Sequence, residues 1–372
     1  MRIAQLVSSY QPRIGGVETH VRHLAEGCAE AGDDVVVLTH QVSGSPPEER
    51  IGPVRVLRFP LMVTAANYQV SPGLSRYLTS HAMDFDLVHA HNYHTVVGHA
   101  AARSGLPFIF TPHYHGTGHT PFRALLHRLY RPVGAKQLMA ADAVICVSEA
   151  EHTLLIRDFP GAADKVVTIP NGSDRRPRTS DGANRARPQE PVVLTVGRLE
   201  RYKNVDLIID AFRALPFAAS LVIVGAGPDR GRLEQHAAVT DSGWPVVFTG
   251  RISDAELDRW YVRASVVTSA SEHEAFGLTL TEGLTSGARV VASIIPAHAE
   301  IAGRAEAAAA VTLVDPRDTP EFTRVLAGSL AAGRVTGGTG ELSRWADTVA
   351  RTRDLYARVL VRGHLTHRRE AA

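Results

Sequence analysis

Cysteine is nearly absent from this sequence, and so is any excess of charge of one sign. Only Cys28 and Cys146 occur. One lies in a helix-like stretch and the other in a strand-like one, which excludes a disulfide scaffold and suits a reducing cytosol. Forty basic residues face 38 acidic ones, a net charge of +2. That balance gives no reason to expect a nucleic-acid partner. No run of about 18 apolar residues is present, so no bilayer-spanning helix is expected. Met1-Arg2 leads directly into the strand-like Ile3 to Val7, without the pattern of a signal peptide. The expectation is a cytoplasmic protein, with peripheral membrane contact left open. Tandem repeats are lacking, and the Ala-rich Ala305 to Ala310 is the one biased tract.

What is present is alternation. Short apolar runs (Ile3 to Val7, Val35 to Leu38, Leu87 to Ala90, Phe108 to Phe110, Ala143 to Val147, Val166 to Ile169) alternate with helix-like stretches such as Val17 to Ala31, Tyr93 to Arg103 and Phe122 to Ala140. Near-continuous apolar strands between helices predict a parallel sheet covered on both faces. The pattern stops in the Arg-, Pro- and Ser-rich stretch Asn171 to Glu190. It restarts with Val192 to Val196, Leu221 to Val224, Val246 to Phe248, Val266 to Thr268, Val290 to Ala292 and Val311 to Val314. The expected organisation is α/β: a Rossmann-like domain over residues 1–172, a linker over 173–190 and a second Rossmann-like domain over 191–340. A C-terminal helix over 341–372 would pack back on the first domain.

In open parallel sheets, ligands bind beyond the carboxyl ends of the strands. Four loops there draw notice. Gly15-Gly16 opens the first helix, where backbone amides can approach an anion or simply form a flexible turn. In "VGRLERYKN", Arg198 and Lys203 follow a strand, as two cations for a diphosphate or as a solvated basic loop. "VGAGPDRG" suggests a dinucleotide fingerprint but has Arg230 at the third glycine position, so a tight turn is the better reading. "SEHEAFGLTLTEG" puts Glu274 on a loop and Glu282 in the following helix. The amides of Phe276, Gly277, Leu278 and Thr279 lie between them, at the helix start. This arrangement could seat a phosphate on the amides and hydroxyls on the carboxylates; a surface acid at a helix start is the alternative.

Taken together, these loops and the stretches around them resemble the retaining glycosyltransferases of family 4. The matching segments include "GGVETHVRHLAEGCAEAGDDVVVLT", "FDLVHAHNYHTVVGHAAARSGLPFIFTPHYHG", "IPNGSD", "VGRLERYKNVDLIIDAF" and "SASEHEAFGLTLTEGLTSGARVVAS". They cover most of the chain in the family's order. The resemblance implies a GT-B fold, two Rossmann-like domains facing a central cleft. It implies backbone contact from Gly16, a donor-sugar role for His113 and a diphosphate held by Arg198 and Lys203. Arg251 and Ile252 would border the nucleobase. Glu274 would bind sugar hydroxyls, Phe276, Gly277 and Leu278 would lend amides, and Glu282 would hold the ribose. Two departures stand out: Ala275 where a small residue, often Gly, is common, and Ile295-Pro296-Ala297-His298 in place of a Gly pair.

The expected reaction is therefore metal-independent, retaining transfer of a hexose or N-acetylhexosamine-type sugar to a hydroxyl acceptor. The donor would be a nucleotide diphosphate sugar, UDP preferred over GDP, with no further cofactor. A sugar-nucleotide epimerase and a non-catalytic binder are the alternatives. His91, Asn92 and His115 are candidates for the acceptor side. Asp84-Phe85-Asp86 resembles a metal-binding D-x-D, but it precedes a strand and so lies at the wrong end of the sheet. His89 and His91 share a strand face, which raises a zinc site, but no cysteine ligand is near and no metal is expected. The basic, partly apolar Thr120 to Leu138 could rest on anionic lipid or cover the sheet.

Overall fold

A computed structural model of the chain describes residues 1–13, 15–65, 68–93, 95–116, 121–174, 190–239, 243–304, 308–335 and 342–370. Most of the expected linker, His94, His119 and the start of the Ala-rich tract lie outside the described residues. The chain forms two compact units, Met1–Gly172 with Ser343–Ala372, and Ser173–Leu342.

The first unit contains strands β1 (Arg2–Leu6), β2 (Asp34–His40), β3 (Glu48–Ile51), β4 (Val54–Phe59), β5 (Val63–Ala65), β6 (Tyr68–Val70), β7 (Leu87–His91), β8 (Phe108–Thr111), β9 (Ala143–Cys146) and β10 (Val166–Thr168). Its helices are α1 (Gly16–Glu30), α2 (Pro72–Ser80), α3 (Val97–Ala102), α4 (Pro121–Ala140) and α5 (Glu149–Asp158). The sheet order is β10-β9-β8-β7-β1-β2-β4-β3, with β5 and β6 forming a separate hairpin. Neighbours in the large sheet are parallel except for the β3–β4 edge. Side chains of β2 and β7 are buried almost throughout, as a sheet covered on both faces requires.

Two features differ from the sequence reading. It assigns no strand to β3 or β4: Glu48–Ile51 is an edge strand with polar, solvent-facing positions and no apolar run, and in Val54–Phe59 the apolar residues are interrupted by Arg55 and Arg58. The helix expected over Tyr93 to Arg103 is shortened to α3. Asn92 adopts a left-handed φ of 76°, and the Thr95 hydroxyl donates to the Asn92 carbonyl at 3.0 Å. This local turn competes with helix and delays its start.

The second unit holds β11 (Val192–Val196), β12 (Ser220–Val224), β13 (Val246–Gly250), β14 (Val266–Ser269), β15 (Arg289–Ser293) and β16 (Val311–Val314). Helices α6 (Val205–Arg213), α7 (Arg230–Val239), α8 (Asp254–Arg263), α9 (Leu278–Thr285), α10 (Pro296–Ala302) and α11 (Thr319–Ala331) connect or follow them. The sheet is wholly parallel, in the order β13-β12-β11-β14-β15-β16. The order turns outward on either side of β11, so the loops after β11 and β14 lie at the switch point where such sheets bind ligands.

The last helix, α12 (Trp345–Glu370), belongs to the first unit. Val349, Leu355, Tyr356 and Val359 join Val21, Leu24 and Cys28 of α1 in one apolar cluster. A β-carbon on Gly27 would lie 2.6 Å from Val349 Cγ2, and one on Gly172 would lie 2.2 Å from the Trp345 backbone nitrogen. Absent side chains at these two places let α12 seat against its unit.

Candidate functional site

In the second unit, a pocket opens at the carboxyl ends of β11, β12 and β14. Thr195, Gly197, Arg198, Lys203, Ser269 and Ser271 are among its lining residues. Its floor depends on close approach of two loops. Gly225 has φ 134°, and a β-carbon there would lie 1.9 Å from the Gly197 carbonyl oxygen. A β-carbon on Gly227 would lie 2.2 Å from the Leu199 carbonyl oxygen. Gly197 N donates to Val224 O at 2.9 Å and Leu199 N to Ala226 O at 3.1 Å. The glycines of "VGAGPDRG" thus let its loop press against "VGRLERYKN".

The three acids of "SEHEAFGLTLTEG" have three different partners. Glu272 pairs with Arg317 at 2.6 Å and accepts from Asn204, which also donates to Ala270 O, so it ties loops together. Glu274 pairs with Lys203, Oε1 to Nζ, at 2.5 Å. Burial pushes the Glu274 carboxyl up, but the Lys203 ammonium beside it holds it below the usual carboxylate range, aided by His298 and Ser271. Burial likewise works against the Lys203 charge, and Glu274 more than offsets it, so the ammonium is held more firmly than usual. Glu282, on α9, accepts from the Tyr261 hydroxyl at 2.6 Å.

Between these acids, Phe276 is buried and Gly277 caps α9 with φ 98°. Only glycine takes that conformation without strain, and a helix start leaves its first amides without intrahelical partners. No side chain caps α9. His298 of α10 packs beside Gly277: a β-carbon there would lie 3.4 Å from His298 Cδ2. The imidazole is fully buried, its Nδ1 is 3.1 Å from the Ser293 carbonyl, and its Nε2 has no hydrogen-bond partner among the described residues. Sequence reasoning treated Ile295 to His298 only as a lost glycine pair and missed this ring. It also missed Tyr261, which carries no motif of its own.

Arg198 and Arg251 complete the loop set. Arg198 is largely exposed and pairs with Glu200. Arg251 is exposed and follows Gly250, whereas Ile252 packs partly against the second unit's core. The structure therefore brings Lys203, Glu274, Phe276, Gly277 and Leu278 together, keeps Glu282 further along the same helix and leaves both arginines on exposed loops.

The remaining candidates lie in the first unit. Gly16 is the first residue of α1, and a β-carbon on it would meet nothing within 4 Å. His113 follows β8 with a left-handed φ of 48° and is buried. His91 is fully enclosed at the end of β7, its Nε2 2.7 Å from Gln5 Oε1, so it offers no exposed group to an acceptor. Asn92 and His115 are half-buried. Asp84 and Asp86 hold the start of β1: Asp86 accepts from the Arg2 amide at 2.7 Å, and Asp84 lies 3.9 Å from the Arg2 guanidinium. That is the amino end of β7, as the topology argument requires. Among the described residues no helix is long and apolar enough to cross a membrane.

Residues 14–176 match the family described as Glycosyltransferase Family 4, and residues 178–327 match Glycosyl transferases group 1. A GDP-mannose-dependent alpha-(1-6)-phosphatidylinositol dimannoside mannosyltransferase of Mycobacterium tuberculosis is 30% identical over 322 residues, 81% of each chain. D-inositol 3-phosphate glycosyltransferase 2 of Catenulispora acidiphila is 28% identical, covering 92% of this chain and 90% of its own. Among solved structures, sucrose-phosphate synthase from Thermosynechococcus elongatus superposes with a TM-score of 0.73 at 23% identity, covering 99% of this chain and 98% of its own. Anabaena HepE in complex with UDP and glucose gives 0.71 at 19% identity, covering 98% and 99%. Two parallel-sheet α/β units of this kind define the GT-B class of glycosyltransferase. Within that class, the chain belongs to glycosyltransferase family 4.

Proposed function

We propose that the protein moves a hexose or N-acetylhexosamine-type sugar from a nucleotide diphosphate sugar to a hydroxyl-bearing acceptor, with retention of anomeric configuration. The observation that carries this reading is the Lys203–Glu274 pair beside the uncapped start of α9. Without ligand the two side chains satisfy each other. A donor would divide them: its diphosphate takes Lys203, with Arg198 and the amides of Phe276, Gly277 and Leu278, and its sugar hydroxyls take Glu274. His298 Nε2 then accepts from a hydroxyl near Gly277. Glu282, already oriented by Tyr261, takes the ribose hydroxyls, and Arg251 and Ile252 border the base.

In this scheme two cations and a helix start stabilise the departing diphosphate without a metal ion. The acceptor hydroxyl attacks from the face the diphosphate leaves, and the leaving phosphate takes its proton. The family resemblance makes UDP the first donor nucleotide to try; the mannosyltransferase relative named for GDP-mannose makes GDP-sugars the necessary comparison. Nothing in this chemistry calls for nucleic acid. The donor is a water-soluble nucleotide sugar, in keeping with a cytoplasmic enzyme whether or not the acceptor sits at a membrane.

The test is incubation of the enzyme with UDP- and GDP-hexoses and a panel of hydroxyl acceptors, with the product linkage read by NMR. A glycoside with the donor's own anomeric configuration supports the proposal. An inverted glycoside, or an altered sugar nucleotide formed without any acceptor, contradicts it.

A further inference from the structure

Inside the first unit, three imidazoles from distant parts of the chain converge. His20 lies on α1, His91 ends β7, and His113 sits in the loop after β8. Their ring centroids are separated by 4.9 Å (His20–His113), 5.3 Å (His20–His91) and 6.0 Å (His91–His113). One ring nitrogen of each lies within 4.8 Å of those of the other two. All three are more than nine-tenths buried, with exposures of 2%, 0% and 8%. Among the described residues, His20 Nε2, His91 Nδ1 and His113 Nε2 are buried without a hydrogen-bond partner.

The surrounding hydrogen bonds decide what two of those nitrogens carry. Gln5 Nε2 donates to the Tyr356 hydroxyl at 3.1 Å, so Gln5 Oε1 faces His91 Nε2 at 2.7 Å. That nitrogen must bear the proton, which leaves a lone pair on His91 Nδ1. Tyr356 Oη lies 2.6 Å from His89 Nδ1, and His89 Nε2 lies 2.7 Å from Thr111 Oγ1, so both nitrogens of His89 are engaged outside the trio. Asn171 Oδ1 lies 2.6 Å from His20 Nδ1 and accepts its proton, leaving a lone pair on His20 Nε2. A carbonyl behind each of these two rings, fixing tautomer and orientation, is the usual support of a metal-binding histidine.

We propose that His20, His91 and His113 form a binding site for one divalent transition ion of the zinc class, with an exogenous water or hydroxyl as fourth ligand. His20 Nε2 and His91 Nδ1 are thus both acceptors with no donor among the described residues, and a metal ion satisfies both. An all-imidazole set selects zinc-like ions over magnesium or calcium, which need oxygen ligands. Tetrahedral zinc with Zn–N distances of about 2.0–2.1 Å places its nitrogens roughly 3.4 Å apart, so the rings close inward on binding. His113 is held at φ 48°, a costly conformation for a non-glycine residue, and its ring belongs to this group. Three neutral ligands leave the site positively charged, which favours a hydroxide or another anion in the fourth position. The site does not rest on the proposed donor chemistry, since the ion binds with no nucleotide present.

The experiment is a Co²⁺ titration of the full chain, without a histidine tag and stripped with chelator. Trp345 lies 6.0 Å from His20 between ring centroids, so bound Co²⁺ quenches its fluorescence. The expected result is visible absorption of four-coordinate Co²⁺ and Trp345 quenching, both saturating at one equivalent and both reversed by Zn²⁺. His20→Ala and His91→Ala each weaken binding at least tenfold. His23→Ala, whose ring stacks on Trp345 at 4.4 Å but lies outside the trio, leaves Co²⁺ absorption unchanged. Circular dichroism identifies folded variants, and His113→Ala replaces any that fails to fold. No one-equivalent absorption in the native chain, or native affinity in a folded trio variant, overturns the proposal.

Discussion

Replacing Lys203 by Met keeps the aliphatic stem and removes the charge. Glu274 is then left largely enclosed, opposite no cation. Lys203 and Glu274 are 19% and 21% exposed, placing the pair between a surface and a buried one. Surface pairs contribute about 0–1 kcal/mol. Removing one partner of a buried pair costs about 3–5 kcal/mol. The expected loss is about 2 kcal/mol, or a drop of about 4–8 °C in the unfolding of a unit of about 170 residues. Differential scanning calorimetry on Lys203→Met, Glu274→Gln and the double variant closes the cycle, and the coupling should exceed about 1 kcal/mol. The sign with pH follows from Glu274, whose carboxyl is held low in the fold. The pair's stabilisation is complete above the unfolded carboxylate range, near about pH 4.3, and is lost as pH falls through the lower folded value. The difference between native and Lys203→Met should therefore shrink on acidification. A coupling within about 0.5 kcal/mol of zero, or a difference that grows toward acid, would refute the reasoning.

Other substitutions test the supports. Gly225→Ala meets both a left-handed φ and the Gly197 carbonyl, and should lower stability by roughly 3 kcal/mol or more, read by urea denaturation. Tyr356→Phe removes the hydroxyl that joins Gln5 to His89 and leaves two buried polar atoms unpaired, for a loss of about 2 kcal/mol by the same measurement. A chain ending at Leu342 loses α12 and uncovers the apolar cluster it shares with α1; soluble, cooperatively melting protein from that truncation would contradict the packing described.

The strands of both sheets were legible because parallel strands buried on two faces must be apolar throughout. Edge strand β3 was not, since half its surface meets water, and neither was β4, whose apolar residues are interrupted by Arg55 and the buried Arg58. The acids of "SEHEAFGLTLTEG" could be placed on loop and helix from local pattern alone. Their partners could not: Lys203 is 71 residues from Glu274, and Arg317 is 45 from Glu272. The glycines of "VGAGPDRG" look like a nucleotide fingerprint in one dimension, and the approach of a second loop explains them. The histidine trio was hidden for a related reason. Strand alternation pairs His89 with His91, but His89 is occupied by Tyr356 and Thr111, and the third ring comes from α1.

The central claim is that the second unit holds the nucleotide diphosphate through Lys203 and the ribose through Glu282. Calorimetric titration of UDP and of GDP into the native protein, Lys203→Ala and Glu282→Ala tests it most directly. The account predicts binding of at least one nucleotide by the native protein and a loss of about tenfold or more in each variant, the effect of about 1.4 kcal/mol. Unchanged affinity in both variants, or no nucleotide binding by the folded native protein, contradicts it.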